Sequence, residues 1–250
     1  MPLALDESYV CIYFFGGAVM TIRENKFPVR DIIVPQHILV SVFDKTDLDI
    51  LIQGILDLNP DAHFYSTGGT GRKVAEALGA RASTHYTPVE IFTGFPEMEG
   101  GLVKTLHPRV HAGLLAERNN PAHEDYLQSI GGVYIDVLVG NFYPFSEAVA
   151  KSSDPEDARI NIDIGGPTMV KAAGKNWHSV AVLSSPAQYK RFLGHALVHR
   201  GSSLEKRFAL AQQALHLVGD YDKLIGDHFS HLDYATQVRP GLTVAEERVA

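Results

Sequence analysis

The fold class that this sequence predicts is α/β, in three layers, with a mainly parallel sheet flanked by helices. Three observations carry that expectation. Short apolar runs of strand length alternate with stretches that place leucine, isoleucine and alanine at helical spacing. Several runs, such as "HILVSVFD" and "YIDVLVGNFYPF", are apolar almost throughout, as strands covered on both faces are. Several also stop at turns of Ser, Thr, Asn, Asp and Gly. In such sheets ligands bind beyond the carboxyl ends of the strands, and that rule selects 41–46, 66–70, 141–145 and 163–168.

The elements follow in order. "YVCIYFFGGAVMTI", 9–22, is too short to span a membrane, and Asp6 and Glu7 precede it where a signal peptide carries basic residues. Gly16-Gly17 splits it into two runs rich in β-branched and aromatic residues, which predicts a β-hairpin. The polar stretch 23–36, with Pro28 and Pro35, reads as a linker, so 1–36 is an N-terminal extension. A strand is expected over 37–44, a helix over 46–58, and a strand running into a glycine turn over 62–71. A short helix follows over 72–80, then a strand over 134–145 and a helix from the Gly-Gly-Pro start at 165–176. A strand at 178–186, a helix from Pro186 and an amphipathic stretch over 204–229 complete the pattern, and 233–250 is expected as a loose tail.

The 250 residues, 45% of them hydrophobic, suffice for a sizeable core. With 22 basic against 29 acidic residues the net charge is -7, which argues against a general nucleic-acid binder but not against a small anionic ligand held by a local positive cluster. Cys11 is the one cysteine, so neither a disulfide framework nor a multi-cysteine zinc site fits within one chain, and a reducing, cytoplasmic setting is the natural reading.

Four turns and one loop carry candidate chemistry. "STGGTGRK", 66–73, sets hydroxyls and glycines at a strand-to-helix junction, where free N–H groups bind phosphate; an ordinary helix cap reads the same way. "SVFDKT", 41–46, brings Lys45 to a strand end, with Asp44 or Thr46 as the alternative cap. "NIDIGGPTM", 161–169, puts Asp163 before a glycine-rich helix start as either cap or base, with Lys175 twelve residues further on. "GNFYPF", 140–145, ends a strand in Asn141 and Tyr143, a phenol able to donate to an oxyanion or to pack in the core. In "LVKTLHPRVHAG", 102–113, His107 and His111 have a helical metal spacing, but Pro108 lies between them and no further ligand accompanies them. His107 then precedes a helix, His111 lies within it, and the rings diverge.

Taken in order, "SVFDKT", "YSTGGT", "TGFPEMEGGLVKTLHPRVHAGLLAER", "NFYPF", "NIDIGGPTM", "AAGKN" and "YDKLIGDHF" resemble the inosine monophosphate cyclohydrolase family over roughly 37–232. That is the N-terminal domain of a bifunctional purine-biosynthesis protein, with a fold similar to methylglyoxal synthase. The resemblance implies closure of the formylated aminoimidazole carboxamide ribotide to inosine monophosphate, with loss of water, no cofactor and no metal. It implies Lys104, Tyr143, Asp163 and Lys175 as catalytic positions. The chemistry of that closure suggests that Asp163 and Lys104 act at the carboxamide, while Tyr143 and Lys175 serve the oxyanion and the departing water. Ser41, Lys45, Ser66, Thr67, Gly69 and Thr70 would hold the nucleotide, mainly its phosphate, and Thr105 and Asn141 would line the ring site.

The family also implies a homodimer binding a small purine nucleotide. With the chain ending where the formyltransferase domain is expected, that activity belongs to a separate polypeptide or is absent. Neither a membrane nor a nucleic acid is an expected partner. Leu102, Phe43 and Trp177 depart from the pattern, which has arginine, a small hydroxyl residue and histidine there. Two other readings stay open. Leu102 favours an impaired or regulatory purine-nucleotide-binding paralogue. The phosphate turn also fits a methylglyoxal synthase-like lyase, against which the "GFPEMEGGLVKTLHP" block argues.

Overall fold

A computed structural model describes residues 27–96, 98 and 103–243, together with the backbone of 12–15 and 18–21. The two N-terminal strands, β1 (Ile12–Phe15) and β2 (Ala18–Thr21), pair antiparallel. The main sheet comprises β3 (His37–Ser41), β4 (His63–Ser66), β5 (Tyr86–Pro88), β6 (Val137–Gly140) and β7 (Ala181–Leu183). Their order is β5-β4-β3-β6-β7, and every neighbouring pair is parallel.

Alternation along each strand divides the core into two. Ile38, Val40, Phe64, Val137, Val139, Ala181 and Leu183 face one side. There they meet Leu51, Ile52 and Ile55 of α1 (Leu48–Leu58), Val74 of α2 (Gly68–Leu78) and Phe192 of α10 (Tyr189–His199). Leu39, Tyr65, Leu138 and Val182 face the other side. Their partners come from α5 (Pro108–Leu115), α9 (Gly165–Lys175) and α11 (Leu204–Ser230). The sheet is therefore covered on both faces, which is why its central strands are apolar between their ends.

Local chemistry sets the helix ends. Pro108 starts α5, and the N-cap His107 accepts the Arg109 N–H on Nδ1. Gly79, whose positive φ of 57° favours a residue without Cβ, closes α2. Ser203 caps α11 by accepting the Lys206 N–H. Between β4 and β6 the chain also forms α3 (Ala82–His85), α4 (Val89–Thr93) and α6 (Pro121–Ser129). After β6 come α7 (Phe145–Lys151) and α8 (Pro155–Ile160).

Two expectations need correction. Composition predicts a linker over 23–36, yet 27–36 is fastened to the body of the domain. Ile33 and Ser202 exchange backbone hydrogen bonds of 3.0 and 2.8 Å. Arg207, wholly buried, donates to the carbonyls of Arg30, Asp31, Trp177, His178 and Ser202. A guanidinium carries five N–H donors, and here backbone oxygens rather than a carboxylate receive them. The C-terminal stretch is likewise ordered in part, with a π-helical turn at Tyr234–Val238 and a 3-10 turn at Arg239–Gly241; 244–250 lie outside the described residues.

Candidate active site

The sheet order reverses at β3, whose neighbours are β4 and β6. A doubly wound sheet opens a crevice at such a point, beyond the carboxyl ends of its strands. A cleft of about 410 Å³ lies there. Ser41, Phe43 and Lys45 line it from the loop after β3, Thr67, Gly69 and Thr70 from the turn after β4, and Asn141 and Tyr143 from the loop after β6. Lys104 and Thr105 enter from the loop before α5, and Asp163 with Gly165 and Gly166 from the start of α9.

The β4–α2 turn supplies anion-binding geometry. The first N–H groups of a helix have no intrahelical acceptor, and the helix dipole adds positive potential there. The N-cap Thr67 spends no side-chain hydrogen bond on capping α2, and the two glycines after it have no side chain to offer. Gly69 leaves room beside the backbone, since a Cβ there would meet only the end of Arg72 at 3.5 Å. Thr70 turns its hydroxyl back to the Val42 carbonyl at 2.9 Å, so it ties the turn to the loop after β3.

Asn141 holds that neighbouring loop from across the crevice. Its Oδ1 accepts the N–H groups of Phe43 and Asp44, both at 2.8 Å, and its Nδ2 donates to the Asp44 carbonyl at 3.0 Å. It lines the cleft, as expected, but its amide is committed to the backbone. Lys45 donates to the Phe43 carbonyl at 3.0 Å.

Asp163 sits against the first turn of α9. Its Oδ1 accepts the Gly166 N–H at 2.9 Å, and its own N–H donates to the Tyr221 hydroxyl at 2.7 Å. The glycines are required by close approach. A Cβ on Gly165 would fall 2.6 Å from the Thr105 Oγ1, and one on Gly166 2.7 Å from the Asp163 Oδ2. Beside Lys104, Val103 adopts φ 68°, a left-handed conformation that β-branched residues disfavour. A turn from the Leu106 N–H to its carbonyl, 2.8 Å, holds it.

Tyr143 is fixed from two sides. Phe43, 49% exposed, meets its ring edge-on at 4.8 Å. Lys151, at the end of α7, donates to its oxygen at 3.2 Å.

Two predicted site residues are not brought to the cleft. Ser66 is fully buried and donates its hydroxyl to the Val40 carbonyl at 2.6 Å, joining β4 to β3. Lys175 is exposed at the last position of α9, an eleven-residue helix. At about 1.5 Å per residue its backbone lies roughly 15 Å from the Gly165 end. Leu102 lies outside the described residues. Trp177 packs edge-on against Phe208 at 4.9 Å, away from the cleft.

Of the two histidines in 102–113, His107 precedes α5 and His111 lies within it, as expected. His107 caps α5 from outside, and burial lowers its pKa, with Arg109 adding to the effect. His111 lies within α5, its pKa also lowered by burial. Among the described residues no group of three or more His, Cys, Asp or Glu is arranged around a common metal position.

Sequence reasoning missed two contributors. Tyr221 lies in the quoted "YDKLIGDHF" block, and a tyrosine on the core side of an amphipathic helix is the available signal. Lys151 has no motif of its own. A larger cavity of about 530 Å³ opens at the opposite end of β3 and β6, beside the paired Arg118 and Asp136, and none of the predicted site residues lines it.

The family described as AICARFT/IMPCHase bienzyme matches residues 173–249. The bifunctional purine biosynthesis protein PurH of Cutibacterium acnes is 41% identical over 195 residues, covering 78% of this chain. The chain belongs to the AICARFT/IMPCHase family. PurH of Magnetococcus marinus is 42% identical over 81% of this chain, and PurH of Mycobacterium marinum 43% over 74%. The chain spans about a third of the length of these curated relatives: 36%, 37% and 34%. The crystal structure of ForH superposes with a TM-score of 0.64 at 29% identity, covering 78% of this chain and 98% of that one. No described helix is long and apolar enough to cross a membrane.

Proposed function

We propose that this chain is an inosine monophosphate cyclohydrolase of de novo purine biosynthesis. It closes the ring of the formylated aminoimidazole carboxamide ribotide with loss of water. The reading rests on one observation above the others. Lys104, Tyr143 and Asp163 line a single cleft together with the open N-terminal end of α2.

The chemistry asks for that combination. The carboxamide nitrogen forms a bond to the formyl carbon, and an amide nitrogen is a weak nucleophile. Asp163, with Lys104 beside the carboxamide, takes up the proton that this nitrogen loses. The formyl oxygen becomes an oxyanion, which the Tyr143 hydroxyl stabilises and protonates. That oxygen then leaves as water, with the proton of the formamide nitrogen, and the ring double bond forms. Both reacting groups belong to one molecule, so holding them in contact contributes much of the rate. The phosphate sits at the α2 N-terminus, against Thr67, Gly69 and Thr70, with Lys45 nearby. Within one chain Lys175 takes no part in this scheme.

The unit so defined corresponds to 37–232 with the docked 27–36 segment. A cytoplasmic homodimer is its proposed state. The test is turnover at saturating ribotide, followed by ultraviolet absorbance of the product. Lys104→Ala and Asp163→Asn should each lower kcat at least about 100-fold, the usual loss on removing an acid–base group. Near-normal kcat in both would refute the assignment.

A further inference from the structure

We infer that Lys151 is a positioning residue for Tyr143, turning the phenol hydrogen into the cleft. The inference rests on the cyclohydrolase reading and deepens it. Three contacts carry it. Lys151 Nζ donates to the Tyr143 oxygen at 3.2 Å. The same ammonium lies 5.7 Å from the centre of the Tyr143 ring. Glu147, one turn earlier on α7, holds Nζ at 3.6 Å and limits its wandering.

An ammonium has donors only. The hydrogen bond therefore occupies a lone pair of the phenol oxygen, and the phenol's own hydrogen must point elsewhere. Phe43 meets the ring edge-on at 4.8 Å, so the ring itself is also held. What remains on the cleft side is an O–H already polarised by a cation, and a chain of hydrogen bonds strengthens each member. That is the donor a developing oxyanion needs. The same bond to Tyr143 is the largest cause of a raised pKa at Lys151, so the lysine stays charged at neutral pH. Lys151 thereby fills, through Tyr143, the cationic part that the sequence reading proposes for Lys175, which this chain keeps at the far end of α9.

The experiment compares the whole chain with Lys151→Gln, Lys151→Arg and Tyr143→Phe. Lys151 is exposed, so the effect is modest and salt-sensitive. Lys151→Gln should lower kcat roughly 3- to 10-fold with KM within about twofold, and Lys151→Arg should recover most of it. About 0.5 M salt should slow the wild type toward Lys151→Gln and leave that variant nearly unchanged. A readout independent of turnover is the 13Cζ resonance of Tyr143, assigned by its loss in Tyr143→Phe. It should move in Lys151→Gln and return in Lys151→Arg. An unmoved resonance, or a wild-type kcat in Lys151→Gln, overturns the inference. If the wild type closes no ring but the resonance moves, the contact stands and the cyclohydrolase reading falls.

Discussion

Replacing Arg207 with methionine should cost this protein more stability than most other single changes. The side chain has no solvent exposure, and its five donor interactions all end on backbone carbonyls. Burial pulls its pKa down to about 10, with Asp31 and Asp136 offsetting part of that pull, and the group stays charged at neutral pH. Methionine fills much of the volume and donates nothing. The carbonyls of Arg30, Asp31, Trp177, His178 and Ser202 would then lose a charged donor, each such bond being worth about 1.5–3 kcal/mol and not additive. Breaking a buried charged network by removing one partner costs about 3–5 kcal/mol, which is the value to expect. For a domain of this size that lowers Tm by about 6–20 °C. The conservative variant Arg207→Lys would recover only part, because an ammonium has three donors and no fork. Thermal unfolding measures the loss, and amide hydrogen exchange should show 30–33 opening first. A fall below about 2 °C in Arg207→Met would show that the carbonyls find other partners and that Arg207 does not hold the N-terminal segment.

Other expectations follow from single contacts. Asn141→Ala removes three hydrogen bonds from the loop after β3, so KM for the ribotide should rise while stability falls by about 1–3 kcal/mol, read from kinetics and urea unfolding. Gly113→Ala sets a Cβ 2.5 Å from the Val133 carbonyl and should destabilise by about 1–3 kcal/mol, whereas Gly226→Ala, with nothing within 4 Å, should stabilise by about 0.5–1 kcal/mol; urea midpoints compare them. Burial holds His37, His63, His107, His111 and His195 below 6.5, so the unfolded chain gains protons first and stability should fall as pH drops below 6.5. Burial also raises Tyr65, Tyr86, Tyr134, Tyr189 and Tyr221 above 10.0, so the unfolded chain loses protons first and stability should fall again as pH rises through 10.0. Unfolding free energies across pH 4–11 would test both arms against the expected plateau between them.

The sheet was legible because strands covered on both faces cannot hide their composition. Residues 37–44, 62–71, 134–145 and 178–186 contain β3, β4, β6 and β7, each shorter than its apolar run. The edge strand β5 escaped notice because three residues, ending in Pro88, carry no pattern. The cleft was legible as a set of strand-end turns, but not in the direction each side chain takes. Ser66 and Asn141 have the right chemistry in the right turn and spend it on neighbouring backbone. Lys175 rested on the resemblance alone: ten residues along α9 are about 15 Å, so a matching motif does not by itself bring its side chain to this cleft. Arg207 had no signal at all, since an arginine in an amphipathic helix ordinarily faces water. The docking of 27–36 depends on it and was hidden for the same reason.

The most direct measurement is ring closure by the purified wild-type chain given the formylated ribotide, with no formyl donor and no added metal. Growth of inosine monophosphate absorbance at a rate proportional to enzyme, abolished by Asp163→Asn, is the predicted result. Tight binding of the ribotide with no more closure than in buffer would contradict the account and leave the cleft a nucleotide-binding site without catalysis.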